Sequence, residues 1–162
     1  MLPFLISEIF LTNEKALKLA FKNCSHFDSL TLKIDKEIKN QLKKKKLPIP
    51  LKDSLKFYYG CDNVAVIDEV VGKHLPITFM IVLNKEGYVQ FVEILAYREP
   101  YGWEIKNKSF LSQFENKTIK DSLRVNKEIK NIAGATISVN SITYAVKRTL
   151  FLYENYVKNK IK

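Results

Sequence analysis

Apolar residues recur about every four positions at both ends of this chain and about every two in its middle. Near the start, Ala16, Leu17, Ala20 and Phe21 form a stripe at helical spacing, which predicts a short helix over 12–22 with Thr12 or Asn13 as its cap. Ile38 and Leu42, four apart behind Asp35, predict a second helix over 35–46; Pro48 and Pro50 stop it, because proline has no amide hydrogen to contribute. The period then shortens. Lys56–Tyr59 and Val64–Ile67 are β-type runs bounded by Gly60 and Gly72, and Ile77–Leu83 and Tyr88–Tyr97 are longer runs rich in β-branched and aromatic side chains. Asn84-Lys85-Glu86-Gly87 between the last two predicts a hairpin turn, with glycine where positive φ is needed. Residues 107–123 are mixed, with Phe110, Leu111 and Phe114 a short helical cover for the sheet. From Ser138 to Asn159 the longer rhythm returns through Val139, Ile142, Val146, Leu150, Tyr153 and Val157, which predicts a long closing helix. Helices flanking an antiparallel sheet make an α+β fold.

The length of 162 residues suits one domain over 12–162, and the 46% hydrophobic content supplies a core for it. Residues 1–11 are set apart as a signal remnant or N-terminal segment. The apolar run Met1–Ile6 is too short to span a bilayer and has no basic flank, so it fits a secretion-signal stump or a piece of strand or helix on the core equally well. A net charge of +10 would suit nucleic acid, an anionic membrane or an acidic protein. The lysines are dispersed, however, which is how a solvated surface reads, and no nucleic-acid partner is assigned. The one run, Lys43–Lys46, ends a predicted helix, where the dipole favours cations. Cys24 and Cys61 lack metal-ligand spacing, and their pairing is left open. Two histidines are too few for a His-rich metal site.

Chemistry concentrates in Ile132-Ala133-Gly134-Ala135-Thr136-Ile137-Ser138, immediately before the closing helix. Small residues at 133–135 let a ligand approach the backbone closely, and the amides and positive dipole end of a helix start favour a phosphate. Thr136 adds a hydroxyl at the same place. The same residues also read as a plain helix cap, with Thr136 or Ser138 bonding the first turn and no ligand involved.

Gly134-Ala135-Thr136-Ile137-Ser138 ahead of an amphipathic helix resembles the signature of the FMN-binding domain family, which includes flavin-bearing subunits of sodium-pumping NADH:quinone oxidoreductases and related electron-transport complexes. Glu93-Ile94-Leu95 with the run Tyr97–Ile105, and Gly72–Thr78, are similar to further segments of that family, so the likeness covers roughly residues 56–150 in order. The resemblance implies FMN as cofactor, joined through its phosphate to the Thr136 hydroxyl by a flavin transferase that takes it from FAD. It implies electron transfer with redox partner proteins or a membrane electron-transport complex, in the periplasm or on the outer face of the cytoplasmic membrane. Two positions depart from the family's usual pattern: Lys130 stands where an aspartate is common, and Ala133 where a serine is.

Other residues suit a flavin on their own chemistry. A flat ring with a polar edge needs aromatic or aliphatic faces and a few donors. Tyr97, Tyr101 and Trp103 offer faces on a loop opened by Gly102, and Arg98 offers a donor to the ring carbonyls or the phosphate. Arg98 with Glu99 reads equally as an ion pair stapling that loop. Thr78 and His74 are put forward as lining residues. No nucleophile paired with a base, no paired carboxylates at catalytic spacing and no glycine-rich nucleotide turn after a strand are present, so the reading is an electron carrier. A flavin reductase or oxidase with noncovalent FMN, and a basic anion-binding module, are the alternatives.

Overall fold

Alternating side chains on the central strands are apolar in both directions, so the sheet they form needs cover on both faces. The computed structural model describes residues 8–161. Among the described residues six strands, β1 (Glu8–Ile9), β2 (Asp28–Lys33), β3 (Ser54–Gly60), β4 (Asn63–Val71), β5 (Pro76–Asn84) and β6 (Val89–Tyr97), lie in the order β1-β6-β5-β4-β3-β2. Every neighbouring pair is antiparallel. The predicted hairpin joins β5 to β6, with Gly87 at φ 97.

Four α-helices of the described residues accompany the sheet: α1 (Asn13–Ala20), α2 (Lys36–Lys44), α3 (Lys108–Leu111) and α4 (Thr136–Leu152). The larger core lies on one face, where Phe57, Val66, Phe79 and Ile81 meet Val139, Ile142 and Val146 of α4 and Ile38 and Leu42 of α2. On the other face Ala65, Met80 and Val82 meet Ala16, Ala20 and Phe21, from α1 and its end. The architecture is α+β, as the pattern of the chain predicts.

Thr12 caps α1 and Asp35 caps α2, each accepting a bond from a first-turn amide. Past α2, Lys46 adopts φ 57, and the amides of Lys46 and Leu47 return to the carbonyls of Lys43 and Leu42. That is a glycine-type helix stop built on lysine.

Three features differ from the sequence expectation. β2 is unforeseen because it is an edge strand with one fully buried side chain, Leu32, too few to make an alternating signal. Residues 8–11, grouped with the N-terminal segment, run along β6: Glu8 pairs with Tyr97, and the amides of Phe10 and Leu11 donate to the Leu95 carbonyl. The apolar run Met1–Ile6 lies outside the described residues. The closing helix begins at Thr136 and passes after Leu152 into a wider π turn over Tyr153–Val157. There the Tyr153 hydroxyl donates to the Lys85 carbonyl, which ties the helix end to the β5–β6 hairpin.

Two tertiary links hold the layers. Cys24, after α1, is disulfide-bonded to Cys61 in the β3–β4 turn, with Cα atoms 5.7 Å apart. Arg148 of α4, fully buried, donates to Asp68 of β4 at 2.7 Å, and also to the carbonyls of Glu69 and Pro48. Burial pushes the Asp68 carboxyl above its ordinary range, and the facing guanidinium opposes the shift.

Candidate functional site

The segment leading to α4 is fixed before it reaches the helix. Ile129 is fully buried, and the Lys130 amide donates to Gln113 Oε1 at 2.7 Å. The Ala135 amide then closes a turn on the Ile132 carbonyl at 3.0 Å. Gly134 holds the third position of that turn at φ 81, a conformation that disfavours side chains. A Cβ there would meet nothing within 4 Å, so the glycine serves backbone conformation and leaves open space above it.

Ala135 is the residue before the helix, and its carbonyl accepts the first helical bond from Val139 at 2.9 Å. With no side-chain acceptor, it provides no capping bond to the first-turn amides. Thr136 is therefore the first helical residue and Ser138 the third. Neither is the cap, which removes the plain capping reading.

The Thr136 hydroxyl belongs to an exposed residue, and Asn131 Nδ2 donates to its oxygen at 2.9 Å. One turn on, Asn140 donates to the Thr136 carbonyl at 2.9 Å. A groove of about 510 Å³ lies between α4, the end of β4 and the stop of α2, lined by Val71, Ile137, Asn140 and Tyr144 among others. Ile137, Val71 and Tyr144 are all exposed apolar side chains.

Ser138 points the other way, into the protein. Its hydroxyl lies 2.8 Å from that of Tyr97, which in turn donates to the Tyr101 carbonyl. Because a phenol has one proton and it is committed to Tyr101, Ser138 is the donor in their pair. Burial pushes the Tyr97 phenol upward, against the Ser138 bond, so it stays protonated near neutral pH. Gly102 sits against this link at φ 91; a Cβ would lie 2.6 Å from the Tyr97 oxygen and 3.6 Å from Ala135 Cβ. Loop and helix start are in contact because residue 102 has no side chain. Tyr97 itself is 3% exposed and packed in the core, so it offers a hydroxyl and not the ring face expected of it; it ends a strand whose side chains there turn inward.

The next residues go to separate partners. Arg98 Nη1 donates to the Pro76 carbonyl at 2.8 Å and to the Thr78 hydroxyl at 3.0 Å. Glu99 accepts from the amides of His74 and Leu75. Burial would raise the Glu99 carboxyl, but those two amides overcome it and hold it low. The Arg98–Glu99 staple does not form; the two charges instead tie the loop to the β4–β5 turn on two sides. Thr78 is nearly buried beneath Arg98, whereas the His74 side chain is exposed. Tyr101 is 81% exposed and Trp103 48%, and both present ring surface to solvent. Lys106 Nζ lies 5.5 Å from the Trp103 ring and 4.5 Å from that of Phe10. Asn131, Asn140 and Lys106 are the contributors that sequence reasoning missed, since single polar residues carry no periodic signal wherever they sit.

Residues 72–150 match the family model described as the FMN-binding domain. Over that stretch the chain is similar to an FMN-binding domain. All the residues put forward for the site, from His74 to Ser138, fall inside the match, and the cofactor of this domain is FMN. Among solved structures the chain is similar to NqrC of Shewanella oneidensis, at 13% identity and a TM-score of 0.55, over 91% of this chain and 84% of that one. That likeness is one of fold, and it includes strands outside the matched stretch. No curated protein matches the sequence.

The site fits the cofactor on its own geometry. An exposed hydroxyl at an uncapped helix start, open space over Gly134 and an adjoining groove give a phosphate and its attached ring somewhere to go.

Proposed function

We propose that this FMN-binding domain is an electron carrier whose flavin is esterified to Thr136. The observation that carries the reading is the Thr136 hydroxyl, exposed at the open amide end of α4 and held by Asn131. Ester formation needs an exposed nucleophilic oxygen beside a place where phosphate charge is stabilised, and a helix start supplies that field. In the transfer, Thr136 Oγ1 forms a bond to the flavin-side phosphorus of FAD. The bond to the bridging oxygen breaks, AMP leaves, and the hydroxyl proton passes to the flavin transferase.

Once bound, FMN supplies one- and two-electron chemistry. The chain's residues then position it. The amides of Thr136, Ile137 and Ser138 would face the phosphate, Gly134 and Ala135 would leave the approach open, and Tyr101 and Trp103 would offer ring faces beside Gly102. Arg98 is a cation held at a fixed place by Thr78 and Pro76, and Glu99 holds the His74 turn against the loop. We place the protein on the outer face of the cytoplasmic membrane or in the periplasm, working with redox partner proteins or a membrane electron-transport complex. The Cys24–Cys61 disulfide supports that placement, because such bonds persist in oxidising compartments.

The test is co-expression with a flavin transferase followed by intact-mass measurement. A gain of one FMN less water is expected, abolished in Thr136→Ala. No gain, with no flavin retained through gel filtration, would retire both the covalent and the carrier reading.

A further inference from the structure

Resting on the esterification reading, we propose that Asn131 orients the Thr136 hydroxyl for flavin transfer. Asn131 follows the anchor of Lys130 on Gln113 and lies five residues before Thr136, so the fixed segment carries its amide onto the hydroxyl. The contact is the one side-chain hydrogen bond recorded for the Thr136 oxygen among the described residues, at 2.9 Å. The other end of the same amide, Asn131 Oδ1, is buried and has no hydrogen-bond partner in the protein.

A buried acceptor without a partner is uncommon in folded proteins, and it marks an amide whose two ends are open to exchange. Here a half-turn of the amide exchanges its ends. Oxygen and nitrogen occupy nearly the same positions in either orientation. With Oδ1 toward Thr136, the amide accepts a hydrogen bond from the hydroxyl until the transferase takes the proton, and it directs an oxygen lone pair outward, toward the exposed side where phosphorus must approach. With Nδ2 toward Thr136, it donates to the ester or phosphoryl oxygens that replace the hydroxyl after transfer. One side chain thus serves the oxygen before and after the bond forms. Lys130 cannot do this: its side chain is a donor only, and its backbone amide is taken by Gln113.

The experiment is a timed reaction of purified apo-protein with FAD and flavin transferase, followed by intact mass, on wild type, Asn131→Leu and Asn131→Asp. Asn131→Leu removes both polar ends at similar volume and is expected to label about tenfold more slowly, the effect of one lost hydrogen bond. Its melting temperature should be unchanged or higher, because the orphaned acceptor is gone. Asn131→Asp keeps an acceptor, so it should label within a few-fold of wild type, with a rate that rises with pH as the carboxyl ionises. The rise is read against wild type, which carries only the pH dependence of the transferase. Wild-type labelling rates in both variants, with no new pH dependence in Asn131→Asp, would overturn the proposal while leaving esterification intact. A wild type that gains no mass takes both down together. If Asn131→Leu fails to fold, the pH profile of Asn131→Asp decides alone.

Discussion

Two glycines in the site are needed for different reasons, and substitution separates them. Gly134 requires only its positive φ, since a Cβ there meets nothing within 4 Å. Gly102 requires both its φ of 91 and its empty volume, because a Cβ would press on the Tyr97 hydroxyl at 2.6 Å. Gly134→Ala should therefore cost about 1 kcal/mol of stability, the price of left-handed backbone alone. Gly102→Ala should cost about 2–4 kcal/mol, adding overpacking to that strain, and should push the loop off the helix start. Urea unfolding of the two variants checks the order; equal losses would mean that the Tyr97 contact does not constrain the loop. The sequence marks both residues as glycine but cannot rank them. Volume around a backbone atom is set by the packing of separate elements, here the end of β6 at Tyr97 and the start of α4 at Ala135.

Among the elements, the lead-in to α4 is held by charge as well as by Ile129. Glu128 accepts from the Ser122 hydroxyl and from the Arg124 amide at 2.8 Å, and these bonds lower its carboxyl to about 2 from an ordinary 4.5. The native state then binds fewer protons there than the unfolded chain, so the contribution is complete above 4.5 and is lost as pH falls from 4.5 towards 2. Glu128→Gln should flatten the dependence of stability on pH across that window, read from urea midpoints, with little change in slope at neutral pH. An unchanged acid slope would contradict the bonding. Helices α1, α2 and α4 and the β5–β6 hairpin were legible because each has a period or a turn signal of its own. β2 was not, since an edge strand with one inward residue carries almost no pattern. The loops around Asn131 and Glu128 had no signal either, because bonds between side chains and distant or irregular backbone follow no spacing.

For the whole molecule, Arg148 and Asp68 are the pair that no local pattern announces. The closing helix reads as an apolar stripe, yet at position 148 a guanidinium is buried and bonded to β4 and to the Pro48 carbonyl. Arg148→Ala should lose about 3–5 kcal/mol by stranding a buried carboxylate, whereas Arg148→Met with Asp68→Leu together should recover most of it. Denaturant midpoints for the single and double variants measure this; a double variant as weak as the single would mean the pair contributes more than mutual neutralisation.

By itself the sequence determined the α+β class, the helix and hairpin positions, and the short run of small residues before the last helix, because periodicity and backbone preference are local properties. Only the tertiary structure decided that Thr136 begins the helix uncapped, that Ser138 turns inward to Tyr97, and that Arg98 and Glu99 part to different partners. It also brought Asn131 to the threonine oxygen and Cys24 to Cys61. These outcomes depend on which distant segments share a position in space, and chain spacing carries no record of that.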